Sequence, residues 1–115
     1  MNRAFLYGNL GAKPEVKYTQ NAKKVVSFSL ATRESADYTE WHNVQCWDKT
    51  ADLAEQYLDK GAAVIVEGKI RSSSWEDKNG NKRKRTFIVA NRITFTKSPE
   101  KIDQPKLSMD DEIPF

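Results

Sequence analysis

Apolar and polar positions alternate in twos over most of this chain. Residues 3–10, RAFLYGNL, form the first such run, and Gly11 ends it. The short run VKYT follows AKPE, and QNAKK then supplies turn chemistry. In VVSFSLATR, Val26, Phe28 and Leu30 share one face while Ser27, Ser29 and Ala31 share the other. That pattern predicts a half-buried strand whose outer side chains are small. A polar connection, ESADYTE, leads to EWHNVQCWDK at 40–49, which alternates again. The period then changes. Leu53, Ala54, Tyr57 and Leu58 make one apolar stripe at helical spacing, with Asp48 or Thr50 as cap, Asp52 in the first turn and Gly61 as stop. Residues 62–71, AAVIVEGKIR, return to strand character, and Asn79-Gly80 marks a hairpin turn before RTFIVANRITFT. Five short strands with one interposed helix is the element order of an OB-fold barrel, although pattern alone also suits other small barrels.

The strand at 40–49 poses a question. Alternation puts Trp41, Asn43, Gln45 and Trp47 on one face, and His42, Val44 and Cys46 on the other. The two tryptophans therefore stand with the amides, on the wetter side. Six residues apart, they are separated by ~20 Å, too far to pack on each other. Trp75 lies at the base of the expected hairpin, and Lys82, Arg83, Lys84 and Arg85 follow on its returning arm. Unpaired nucleic-acid bases offer flat apolar faces to aromatic rings, and phosphates need spaced cations. Asn43 and Gln45 can hydrogen-bond base edges or phosphates, and Arg33, Lys69 and Arg71 are further candidate phosphate contacts. A protein interface is the competing use for exposed tryptophan, and a basic run can also be a solvated arm or a localisation signal.

Charge sharpens this picture. The net charge of +3 divides unevenly: residues 98–115 hold two basic and five acidic side chains, which leaves a net +6 to residues 1–97. A basic body suits a polyanion partner. At 115 residues a single small domain is expected, and no apolar run approaches the ~20 residues of a membrane span. Cys46 is the only cysteine, which excludes an internal disulfide and a multi-cysteine zinc site, and a signal-peptide pattern is lacking. An intracellular location is the corresponding expectation. One histidine, one cysteine and an Asp48–Asp52 pair explained by the helix start give no basis for nuclease chemistry.

The stretches YGNLGAKPEVKYT, VVSFSLAT, TEWHNVQCWDKTADLAEQYLDKGAAVIVEGKIR, SSSWED and NRITF, in this order, resemble the bacterial single-stranded DNA-binding proteins. The resemblance covers residues 1–97 and implies an OB barrel, a homotetramer that wraps DNA, a cytoplasmic, nucleoid-associated location, no enzymatic activity and no cofactor. It makes Trp41, Trp47 and Trp75 base-stacking positions and sets His42 at a subunit interface. Phe5 and Tyr7 share a face of a first strand apolar on both sides; either a partner subunit or the barrel wall covers one of those faces, and Phe5 and Tyr7 are the candidates for that interface. Ala36 stands where many relatives carry a further stacking tryptophan, which Tyr38 could replace, and Glu34–Glu40 is a shortened loop. From residue 98 periodicity stops. Residues 98–108 are expected to be a short disordered linker. Residues 109–115, MDDEIPF, resemble the family's partner-docking tip for replication, recombination and repair proteins. There Asp110, Asp111 and Glu112 supply charge, Ile113 and Phe115 supply apolar anchors, and Pro114 limits the ordering cost. An OB-fold primosomal adaptor or RNA-binding protein is the alternative reading, and it gives no reason for the acidic tip.

Overall fold

The computed structural model describes residues 1–97; the linker and tip expected at 98–115 lie outside the described residues. In chain order the elements are β1 (Ala4–Leu10), β2 (Glu15–Tyr18), β3 (Lys24–Ser35), β4 (Tyr38–Trp47), α1 (Asp48–Tyr57), β5 (Ala63–Glu76) and β6 (Lys82–Lys97). Hydrogen-bonded neighbours run β1-β5-β6-β4-β3, and a further β1–β3 pairing closes the ring. The result is the five-strand OB-type barrel that the element order predicts. The short β2 is a sixth strand outside the ring, paired only to β3 from Glu15↔Ser27 to Tyr18↔Lys24.

Closure uses short seams. β1 pairs with β3 through Asn9↔Ala31 and Leu10↔Leu30, and β4 meets β6 in parallel through Val44↔Ile88 and Gln45↔Val89. Gly8 allows the first seam to form, because a Cβ there would stand 2.1 Å from the Ala31 carbonyl oxygen. The alternation read from the sequence fills the interior. Val26, Phe28 and Leu30 from β3 meet Val44 and Cys46 from β4, with Val64, Val66 and Ile88 completing the wall, and all of these are buried.

The helix packs against β3, β4 and β6. Its buried positions are Ala51 and Ala54, followed by Leu58 just past its end, whereas Leu53 and Tyr57 are exposed. The expected stripe is thus rotated, because small alanines let the helix axis approach the barrel closely. Neither Asp48 nor Thr50 caps it. Trp47, still extended at φ −123°, occupies the N-cap position without a side-chain bond, and Asp48 turns the corner at φ 55°. Asp tolerates that left-handed conformation better than most residues. Lys24 of β3 ties the helix down, with its Nζ donating to Asp52 Oδ1 at 3.0 Å and also to Glu55. These two carboxylates hold the Lys24 ammonium well above the usual lysine range, with the Glu55 bond the larger cause.

The segment expected as a polar loop at 34–40 is instead the end of a hairpin. β3 and β4 stay paired to Ser35↔Tyr38, leaving Ala36-Asp37 as a two-residue turn. Neither turn residue has positive φ, and a register shift between Arg33 and Ser35 accompanies the turn. Such a bulge adds local twist, which a two-residue turn without positive φ cannot provide.

Candidate nucleic-acid interface

Strand register, more than sequence proximity, assembles the outer surface. On β4 the non-core row is Trp41, Asn43, Gln45 and Trp47, opposite Ala31, Ser29, Ser27 and Val25 of β3. Gln45 then pairs with Val89 of β6, whose row continues as Phe87, Arg85 and Arg83. Across the β5–β6 pairing these face Lys69, Arg71, Ser73 and Trp75. One outer face therefore runs across four strands and carries all three tryptophans, as the alternation of residues 40–49 predicts for the first two.

The tryptophans differ in setting. Trp41 is 57% exposed, and its ring lies over Gly11, where an added Cβ would come within 2.5 Å of Cζ3. Trp47 is half-buried at the strand-to-helix junction. Trp75 is 48% exposed and stands opposite Arg83. It lies near the hairpin's tip, not at its base as expected from sequence, because β5 and β6 remain paired out to Glu76↔Lys82. The strands run so far because the turn needs only Lys78, Asn79 and Gly80 between Asp77 and Asn81, with Gly80 at φ 83°. Only the glycine is left-handed, so this is a three-residue loop and not the two-residue Asn-Gly form.

Asp77 organises that loop. Its Oδ1 accepts from the backbone N–H groups of Asn79 and Asn81, each at 2.9 Å, and its Oδ2 accepts from Arg83 Nε at 2.9 Å. The Asn81 amide and the Arg83 guanidinium, in that order, hold the Asp77 carboxyl below the usual carboxylate range. A depressed folded-state pKa contributes order above the unfolded value and loses it as pH falls through the lowered value. The amides of Asn79 and Asn81 should accordingly report an acid transition with a midpoint below that of a free aspartate. NMR titration checks this, and a midpoint at the ordinary value would show that the carboxylate does not hold the loop.

The basic run does not act as a unit. Arg83 and Arg85 share the Trp75 face, while Lys82 and Lys84 fall on the opposite face with Glu76 and Ser74. Arg85 sits 5.8 Å from the Phe87 ring centroid and, with Asn43 and Gln45, lines an open groove of about 350 Å³. Lys13, Glu15 and Lys17 also line that groove, with the Glu15 carboxylate 3.8 Å from Lys17 Nζ. These two lysines and the half-buried Phe87 are not singled out by sequence reasoning. The lysines' signal, a Lys-x-x-x-Lys spacing from the residues before β2 into it, is indistinguishable in sequence from ordinary surface charge.

Arg33, Thr39 and Trp41 meet Tyr7 and Asn9 around a second groove. Lys69 is half-buried and Arg71 exposed on the outer row of β5. Tyr38 falls on the other side of β4 from Trp41, and its hydroxyl donates to Glu40, which raises its pKa. Standing there, it does not extend the Trp41 row. His42 is half-buried on the core side, with Nε2 and Thr32 Oγ1 2.9 Å apart. Phe5 is 62% exposed on the outer face of β1. Burial pushes the Cys46 thiol up to about 12, so it is no nucleophile. Among the described residues no group of three or more His, Cys, Asp or Glu side chains is placed to hold a metal ion, and no helix is long and apolar enough to cross a membrane.

An OB-type barrel whose outer face gathers exposed tryptophans among amides and cations defines a class of binding barrel, with the recognition surface on the sheet itself. Residues 1–96 match the single-strand binding protein family, and the chain belongs to that family. It is 41% identical over 101 residues to the single-stranded DNA-binding proteins of two Neisseria meningitidis strains, of serogroups A and B, covering 81% of this chain and 58% of each relative. It is also 41% identical over 98 residues to single-stranded DNA-binding protein 1 of Chlorobaculum tepidum, covering 77% of this chain and 60% of the relative. The chain thus spans about three fifths of the length of these curated relatives.

Proposed function

We propose that this protein binds single-stranded DNA without sequence preference, protecting it during replication, recombination and repair. The observation that carries the reading is the single outer face holding Trp41, Trp47 and Trp75 among Asn43, Gln45, Arg71 and Arg85. Stacking on indole tolerates any base, and arginine and lysine neutralise phosphate whatever the sequence. The names of the relatives support the same substrate. In this reading the protein binds and does not catalyse. Residues 98–108 act as a linker and 109–115 as a docking tip for partner enzymes. Assembly as a homotetramer in the bacterial cytoplasm, through Phe5, Tyr7 and His42, belongs to the same proposal; the exposed apolar row on β1 supports it.

The test is tryptophan fluorescence during titration with oligo-dT at low and high salt, with duplex DNA as control. Deep quenching by the single strand, weakened by salt and absent with duplex, is expected. No quenching of a folded protein would assign the aromatic face to a protein interface, and clear preference for RNA in competition would favour an RNA-binding role.

Gly11 provides a finer check. Its φ is not left-handed, so alanine suits the backbone, but the added methyl group meets the far edge of the Trp41 ring. Gly11→Ala should displace that ring and weaken single-strand binding by about 1 kcal/mol, roughly fivefold, without lowering Tm. Unchanged affinity would mean that Trp41 does not need its seat on Gly11.

A further inference from the structure

The β5–β6 hairpin stands clear of the barrel, and its two faces have different chemistry. Residues 70–76 and 81–86 are all exposed, on both sides of the ribbon. The front face, continuous with the Trp41 row, carries Arg71, Ser73 and Trp75 opposite Phe87, Arg85 and Arg83. The back face carries Ser72, Ser74 and Glu76 opposite Thr86, Lys84 and Lys82. It has no aromatic side chain. Glu76 stands directly across from Lys82, while Lys84 stands across from Ser74 and next to the Ser72↔Thr86 pair. Hydroxyls around an ammonium form a set that contacts phosphate oxygens and offers nothing to stack a base.

We infer that the back face of this hairpin is a second single-strand track, centred on Lys84, that holds a further stretch of the same DNA by its phosphates alone. The inference rests on the proposed binding of single-stranded DNA by the front face. A two-stranded ribbon lacking its own core is marginal in water. Cations on both sides suit it to lie within a fold of the strand, with bases stacked in front and backbone passing behind. The four-residue basic run then has a reason for its length: alternation sends every second cation to each face.

Two oligonucleotides separate the faces: a short one of about 8 nucleotides, within the range one OB barrel covers, and a long one of about 35. The wild-type protein, Lys82→Ala/Lys84→Ala and Arg85→Ala are compared by fluorescence quenching over a salt series. The back-face variant should bind the short oligonucleotide within twofold of wild type and with full quenching. On the long one it should lose affinity about tenfold at low salt. Its log–log salt slope there should be smaller by about 1.4, or about 0.7 for each single-strand phosphate that a lysine no longer neutralises. Arg85→Ala should weaken both lengths. Equal weakening on both lengths by the back-face variant, or no weakening on either, would overturn the second track. Failure of wild-type protein to be quenched by the short oligonucleotide would instead remove the front-face reading on which it stands.

Discussion

Replacing Trp41 and Trp75 together by alanine should lower affinity for single-stranded DNA by about 2–6 kcal/mol, roughly thirtyfold to twenty-thousandfold, and leave the barrel folded. In the proposed reading each ring stacks one base, and both are about half exposed, so neither supports the core. Surface substitutions of this kind usually change stability by no more than about 0.5 kcal/mol. Fluorescence anisotropy of a labelled oligonucleotide gives the affinity, and thermal unfolding gives the control. Trp47 makes a poorer probe, because it is half-buried where β4 turns into α1, and its removal would mix folding with binding. A double variant that binds within twofold of wild type would falsify base stacking as the source of affinity.

Leu30→Ala should have the largest effect on stability, about 2–5 kcal/mol, out of the roughly 5–15 typical of a whole domain. Leu30 is fully buried and sits across from Leu10 in the seam that closes the barrel between β1 and β3, while its other neighbour strand presents His42. Its truncation would leave a void bounded by three strands that cannot collapse without reopening the ring. Denaturant unfolding at fixed protein concentration should show a lower midpoint with an unchanged slope. A destabilisation under about 1 kcal/mol, below the usual range for such a truncation, would mean that the seam repacks freely.

The features legible in the sequence are those governed by period. VVSFSLATR and EWHNVQCW alternate cleanly, because each has one face in a dry core and one in water. Their inward residues, from Val26 to Cys46, are the core of the fold. The same rule sets Trp41 and Trp47 on a single face. What period cannot supply is the relation between elements. The helix is readable, but not which stripe it buries, since Ala51 is chemically bland and Tyr57 looks like core. The expected cap fails because β4 runs directly into α1, leaving no loop residue to act as one. Glu34–Glu40 reads as loop because a hairpin exposed on both faces is polar on both faces. Trp75 reads as the base of its hairpin for a related reason. Strand length beyond the barrel is set by cross-strand pairing, and RSSSWE has no apolar alternation to announce it. Lys13, Lys17 and Arg85 come together only through β2 docking on β3 and the hairpin crossing near β4.

The parallel seam between β4 and β6, so short at Val44↔Ile88 and Gln45↔Val89, bears on how the protein breathes. Its two sides are distant in sequence, and parallel pairing is slightly weaker per residue than antiparallel, so it closes late in folding and parts early in local opening. In the proposed binding mode a strand lies over Gln45 on one side and over Phe87 and Arg85 on the other, and so stitches across that parting. Nucleic acid then does more than occupy a finished surface: amide exchange at 44, 45, 88 and 89 should slow on binding more than at the β1–β3 seam. In that binding mode the ligand helps to hold shut the barrel that holds it.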